Sequence, residues 1–271
     1  MDTSPLAPWL DQIHTGECLS VLGELPDGEV DLAVADLPYG KTRNKWDSPI
    51  DLNTLWAELH RVTKKTAAIA LTATQPFTST LVHSNLAGFR HEWIWHKTVP
   101  CGQLNVARMP LGTHESILVF YRAAPTYNPQ MTEGTPYTAR RKGGSLSGRG
   151  YGSQVDHEVV NTGKRHPRSV ITVPNPRVPR GHPSQKPVKL IEHLILTYSN
   201  PGDIVLDPVI GSGTTAVAAR RTGRHYIGIE KDDTWAAHAR TRVAAEITTS
   251  PSEPSAGTGP CADGRAALSV R

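Results

Sequence analysis

The chain has few of the residues that staple, anchor or ligate. Of its 271 residues only three are cysteine, Cys18, Cys101 and Cys261. They lie far apart, are odd in number and form no C-x-x-C pair, so a disulfide scaffold and a zinc ribbon are not expected. No apolar run reaches the ~18–20 residues of a membrane span. The opening stretch, MDTSPLAPWLDQIH, lacks both a basic and an apolar region, so a signal peptide is not expected either. The histidines have no metal-ligand spacing and read as structural or surface groups. These absences predict a soluble protein of a reducing cytoplasm.

What is present points to an α/β fold. Hydrophobic residues make up 38% and charged residues 20%, with a net charge of +4 that permits a nucleic-acid partner. β-rich runs alternate with amphipathic stretches, the pattern of a mostly parallel sheet covered by helices. Strands are expected at 30–35, 66–72, 203–206 and 225–229. Helices are expected at 52–62, 76–86, 190–198, 214–221 and 233–247. Two further β runs, 91–96 and 116–121, are expected to pair antiparallel at one sheet edge. The tail from Thr248 to Arg271 is Ser-, Pro-, Gly- and Ala-rich and is expected to be disordered.

Between Ala123 and Pro183 the periodicity fails, and the chain reads as a long irregular insert. Its central part, Tyr137 to His182, holds Arg140, Arg141, Lys142, Arg149, Lys164, Arg165, Arg168, Arg177 and Arg180. Against these stand only Asp156 and Glu158. Such a density of cations suits phosphate contacts, although a solvated basic loop would have the same composition.

Asp207-Pro208-Val209-Ile210-Gly211-Ser212-Gly213-Thr214-Thr215 reads as strand end, glycine loop and helix start. Glycines allow close backbone approach, and a helix N-terminus offers free N–H groups. No lysine follows the second glycine, so a triphosphate-binding P-loop is excluded. Gly211, Gly213 and Ala216 fit a dinucleotide loop loosely, with Glu230 available for a ribose. S-adenosylmethionine fits equally well, and a tight turn without ligand is the plain alternative.

Asp36-Leu37-Pro38-Tyr39-Gly40 closes the 30–35 strand at its carboxyl end, where open α/β sheets place ligands. The turn groups a carboxylate, a backbone carbonyl and an aromatic ring. That trio suits a planar ring bearing an amino group. An ordinary β-turn is again the plain alternative.

Taken together, the two motifs resemble the amino-group DNA methyltransferases of the permuted β group. There the catalytic (D/S/N)-P-P-(Y/F) motif precedes the F-x-G-x-G cofactor motif, with a target-recognition region between them. Gly16-Glu17-Cys18-Leu19 with Val30-Asp31-Leu32 is similar to the opening segment. Thr113-His114-Glu115-Ser116-Ile117-Leu118-Val119-Phe120 is similar to the strand before the recognition region. His182-Pro183-Ser184-Gln185-Lys186-Pro187 is similar to the segment entering the helix that closes over the cofactor. Leu37 stands where the family has proline, and Val209 where it has phenylalanine.

The resemblance implies a Rossmann-like methyltransferase fold with an antiparallel hairpin at its edge. It implies a catalytic part at 1–122, a recognition insert at 123–183, a cofactor part at 184–247 and the tail beyond. It implies S-adenosylmethionine as cofactor and double-stranded DNA as partner, and leaves room for a homodimer and a cognate restriction endonuclease. Asp36, Leu37, Pro38 and Tyr39 would be catalytic. Glu17, Ser184, Lys186, Asp207, Gly211, Gly213, Thr214 and Glu230 would bind the cofactor. Arg140, Arg141, Lys142, Arg149, Lys164, Arg165 and Arg168 would bind DNA.

In this scheme hydrogen bonds from an adenine amino group to Asp36 and the Leu37 carbonyl localise its lone pair, after the base has left the stack. Tyr39 stacks on the base. Lys41 to Asp47 would be a closing loop or, through Trp46, a packing anchor. No Pro-Cys motif is present, which argues against cytosine-5 chemistry. Asp36 favours adenine N6 over cytosine N4. A nucleotide-dependent oxidoreductase and a catalytically decayed DNA-binding protein are the remaining alternatives.

Overall fold

The structure is a computed structural model that describes residues 5–40, 48–141, 156–176 and 185–249. Twelve strands are found in the described residues. They are β1 (Gln12–Thr15), β2 (Val30–Ala35), β3 (Thr63–Ala73), β4 (Phe89–Cys101), β5 (Gly112–Phe120), β6 (Thr132–Glu133), β7 (Tyr137–Arg141), β8 (His157–Asn161), β9 (Lys164–Arg165), β10 (Val170–Val173), β11 (Ile204–Asp207) and β12 (His225–Glu230). The α-helices are α1 (Cys18–Leu22), α2 (Leu52–Val62), α3 (Phe77–Ser84), α4 (Val188–Tyr198), α5 (Thr214–Arg221) and α6 (Asp233–Thr249).

Eight strands form one sheet in the order β1-β12-β11-β2-β3-β5-β4-β10. Only β5 runs against the others, pairing antiparallel with both β3 and β4. The expected antiparallel pair is therefore present, but it is not the edge. β10 adds parallel to β4, from Val170 opposite Ile94 to Val173 opposite Lys97. The Trp95 indole N–H donates to the Val173 carbonyl at 2.8 Å and ties this strand down.

The sheet is buried on both faces, as parallel strands require. Alternation in β2 sends Leu32 and Val34 to one face and Ala33 and Ala35 to the other. The first face packs Leu190, Ile191, Leu194 and Ile195 of α4, Ala216 and Val217 of α5, and Ala236, Ala239 and Val243 of α6. The second packs Leu22 of α1, Leu55, Trp56, Leu59 and Val62 of α2, and Leu81 of α3. Asp51 caps α2 by accepting the Thr54 N–H at 2.8 Å.

The 123–183 insert is not irregular throughout. It contains β6 paired with β9, β7 paired with β8, and β10. These strands have two to five residues and mostly exposed side chains, so they carry no alternating hydrophobic signal. α6 runs two residues past the expected 247. The rest of the tail, and the Lys41–Asp47 segment, lie outside the described residues.

Candidate functional site

Asp36, Asp207 and Glu230 stand at the carboxyl ends of β2, β11 and β12, and Gly16 follows β1. These four strands lie side by side, so one rim collects residues from both ends of the chain. A cavity of about 390 Å³ opens there. Its lining includes Glu17, Asp36, Pro38, Lys186, Asp207, Gly211, Thr214 and Glu230.

At one end of the cavity Asp36 is held by three donors. The Tyr39 hydroxyl donates to Oδ1 at 2.7 Å, the Thr72 hydroxyl donates to the same oxygen, and the Lys186 ammonium donates to Oδ2 at 2.7 Å. The Tyr39 ring lies 5.1 Å from that of Phe77. Burial, and then the Asp36 and Glu115 carboxylates, push its phenol well above 10, so it stays a donor. Tyr39 therefore braces Asp36 in this structure instead of lining the cavity. The Leu37 side chain is buried in the core on the second face of the sheet, where a leucine contributes more packing than a proline would.

At the other end the glycine loop folds over Glu230. The Glu230 carboxylate accepts the Gly211 N–H and the Asp232 N–H, both at 2.9 Å. Gly211 and Gly213 have φ of 52° and 82°, in the left-handed region. Their reasons differ. Gly211 lines the cavity, and the nearest atom to an added Cβ is 3.9 Å away. Gly213 is not among the lining residues. A Cβ there would lie 2.9 Å from that of Ala239, so this glycine lets α6 pack against the loop. Sequence reading had given it to the cofactor.

Between the two ends, Asp207 accepts the Thr215 hydroxyl at 2.5 Å and the Val209 N–H at 3.1 Å. Burial nonetheless raises its pKa to about 7. Glu17 caps α1 through the Ser20 N–H at 3.0 Å while facing the cavity. Cys18 also lines the cavity, but burial pushes its thiol up to about 12, where it is no nucleophile.

Several contributors were not legible in the sequence. Thr72 of β3, Asp51 before α2 and Trp235 of α6 reach the cavity from separate parts of the chain. Arg242 of α6 donates to the Ser212 carbonyl and the Thr214 hydroxyl, both at 3.0 Å, and braces the loop. Glu115 had been noticed only as part of a strand motif, and here it lies 3.1 Å from the Lys186 ammonium.

The expected DNA-binding residues divide. Arg140, Lys164 and Arg168 are exposed. Arg165 is not: its guanidinium bonds the Thr135 carbonyl and Asn161 and lies 4.9 Å over the Tyr137 ring, so it staples the insert together. Arg141 ends β7. Lys142 and Arg149 lie outside the described residues, as does Ser184 of the expected cofactor set.

Comparison with known proteins gives a consistent picture. The model of the DNA methylase family, N6/N4 type, matches residues 30–240. "DNA adenine methyltransferase YhdJ" of Escherichia coli (strain K12) is 32% identical over 240 residues, covering 80% of this chain and 77% of the relative. "Type II methyltransferase M.BglII" of Bacillus subtilis is 29% identical over 247 residues, 82% of this chain, and the chain spans 65% of that relative's length. Among solved structures, a complex of M1.HpyAVI with SAM superposes with a TM-score of 0.60 at 22% identity, covering 86% of this chain and 98% of the other. The cytosine-N4-specific PvuII DNA methyltransferase superposes with a TM-score of 0.60 at 12% identity, covering 87% and 90%. At those identities the superpositions establish the fold, a Rossmann-like methyltransferase sheet, while the family match spans most of the sequence. The chain belongs to the N6/N4 DNA methylase family.

Proposed function

We propose that the protein transfers a methyl group from S-adenosylmethionine to the N6 amino group of adenine in double-stranded DNA, at a specific sequence. The observation that carries this reading is a single rim. It joins a carboxylate suited to an amine, Asp36, to an acid-and-glycine cavity, Glu230 with Gly211. The cavity suits the cofactor. It is of ligand size, mixes apolar and acidic walls, and offers carboxylates to a molecule carrying positive charge and ribose hydroxyls. Glu230 would hold the ribose and Glu17 with Trp235 the adenine end. Asp207, Gly211 and Thr214 would hold the methionine part. When bound, S-adenosylmethionine supplies an electrophilic methyl group.

The chain's own residues then prepare the amine. Asp36 Oδ2 accepts one amino N–H and the Leu37 carbonyl accepts the other, which localises the lone pair on nitrogen. These bonds strengthen as positive charge develops there, so they favour the transition state. The proton the amine loses passes to Asp36 Oδ2 and on to solvent. Tyr39 and Thr72 hold the carboxylate still. Stacking of Tyr39 on the base is a role that rests on the family resemblance.

Exposed Arg140, Lys164 and Arg168 support the 123–183 segment as the DNA-reading part, with Arg141, Lys142 and Arg149 as further cations in its sequence. The division into catalytic, recognition and cofactor segments follows from that. The similarity to a type II methyltransferase supports a cognate restriction endonuclease as companion. A homodimer is open to light scattering. No described helix is long and apolar enough to cross a membrane, which accords with a cytoplasmic enzyme.

The test is direct. Purified protein is incubated with DNA and S-adenosylmethionine, and the DNA is digested to nucleosides. N6-methyladenine is expected. N4-methylcytosine would move the target to the other base, and no methylated nucleoside would overturn the reading.

A further inference from the structure

The cavity's catalytic end continues into a row of alternating charges that the proposed chemistry has not used. Lys186 Nζ lies 2.7 Å from Asp36 Oδ2 and 3.1 Å from Glu115 Oε2. Glu115 Oε1 in turn lies 2.5 Å from Lys97 Nζ, and that ammonium sits 5.0 Å over the Trp95 ring. The side chains of Lys186 and Glu115 are each only 10% exposed. They come from separate parts of the chain. Lys97 is on β4, Glu115 on β5, and Lys186 precedes α4.

The two oxygens of Asp36 are not equivalent. Oδ1 accepts from both Tyr39 and Thr72, which fills its two lone pairs. Among the described residues, Oδ2 accepts from Lys186 and keeps one lone pair. Among the described residues, the charged groups around Asp36 are Lys186, Glu115 and Asp207, with Lys97 behind Glu115 and Glu230 behind Asp207. Of these, Lys186 is the cation in contact.

We propose that Lys186 is a positioning residue for Asp36: clamped between Asp36 and Glu115, it sets a positive charge against the carboxylate and leaves one Oδ2 lone pair for the target amine. The assignment rests on the methyltransferase reading. It also replaces the cofactor contact that the sequence motif had given Lys186. Burial opposes the ammonium charge, but Asp36 and Glu115 outweigh it and raise its pKa above 10.5, so Lys186 stays a cation across the assay range. It orients Asp36 without exchanging a proton.

The test compares Lys186→Met and Lys186→Arg with wild type. It uses tritiated methyl incorporation into DNA from pH 5.5 to 9, beside calorimetric binding of S-adenosylmethionine. An opposite charge in contact shifts a carboxyl by about 1–3 pH units. The acid limb of kcat is therefore expected to move up by about 1–3 pH units in Lys186→Met and to stay in place in Lys186→Arg. Cofactor affinity is expected to change little in both. A lower rate with an unmoved limb makes Lys186 a structural group, and a loss confined to cofactor affinity makes it a cofactor ligand. Either result overturns the proposal.

If Lys186→Met does not fold, as judged by circular dichroism, Glu115→Gln carries the test. It removes a carboxylate that competes for Lys186, so the acid limb should move down, and an unmoved limb overturns the proposal. A wild-type enzyme that methylates no base defeats the parent reading instead.

Discussion

Asp36 and Arg140 each lie at or near the end of a β-strand, but on different foundations. The strand before Asp36 has five of its six residues buried and neighbours paired on both sides. The strand carrying Arg140 has one partner and exposed side chains, and from Ala123 to Pro176 only Gly163 and Val173 are buried among the described residues. The rim is thus set by hydrophobic burial of a doubly covered sheet. The insert is set by short ladders and local staples such as Arg165, and among the described residues β10 is its one strand in the main sheet. A chemistry that tolerates little misplacement sits on the first. The proposed DNA-reading surface is built from the second.

The largest break in that comparison should come from Asp36→Asn. The substitution keeps shape and removes the charge that the developing ammonium needs, so methyl incorporation should fall by about 10²–10³-fold or more. Calorimetric cofactor binding should change little, since the cavity's other end is untouched. Near-normal turnover would remove Asp36 from the chemistry.

Next in size is Gly213→Val against Gly211→Ala. The valine meets Ala239 and a φ of 82°, so urea unfolding should show a loss of about 2–4 kcal/mol. The alanine has open space and should cost about 1 kcal/mol of backbone strain, with its main effect on cofactor affinity. Equal losses of stability would mean that α6 does not depend on the loop.

Asp207 gives a pH test of the rim. Its carboxyl keeps a proton up to about pH 7 in the fold and releases it near 3.8 when free. Folding therefore binds a proton between those values. The stabilisation is complete below 3.8 and is lost as pH rises toward 7, by up to about 1.4 kcal/mol per pH unit. Asp207→Asn should flatten the fall in urea midpoint between pH 5 and 7. An unchanged slope would assign it to another group.

The smallest effect belongs to the insert. Changing Arg140, Lys164 and Arg168 to alanine should reduce the slope of log affinity against log salt by about 1–3 units, on specific and random duplexes alike. Arg165→Ala should instead destabilise the insert, seen as faster proteolysis there. Equal salt slopes for wild type and the triple variant would mean that these cations face solvent in the complex.

How much was legible in the sequence follows the same division. β2, α2, α4, β11, α5 and β12 were readable because burial imposes periodicity on their sequences. β1 and α1 have only four and five residues, too short to show a period. β10 was hidden because its partner, β4, is distant in sequence. At the site, Asp36 and Glu230 were found because a strand end and a motif marked them. Thr72 and Glu115 are found only in space. A motif marks Lys186 for the cofactor, whereas its contact with Asp36, 150 residues away, shows only in the fold. Gly213 was assigned by its motif, while the helix it accommodates lies further along the chain.

The most direct measurement is long-read sequencing of DNA from a methylation-free host expressing either the wild-type chain or Asp36→Asn. Modified adenine in one recurring sequence context is expected with the wild type, and none with the variant. Unmodified DNA from the wild-type host, or the same modification with Asp36→Asn, would contradict the assignment of methyl transfer to this rim.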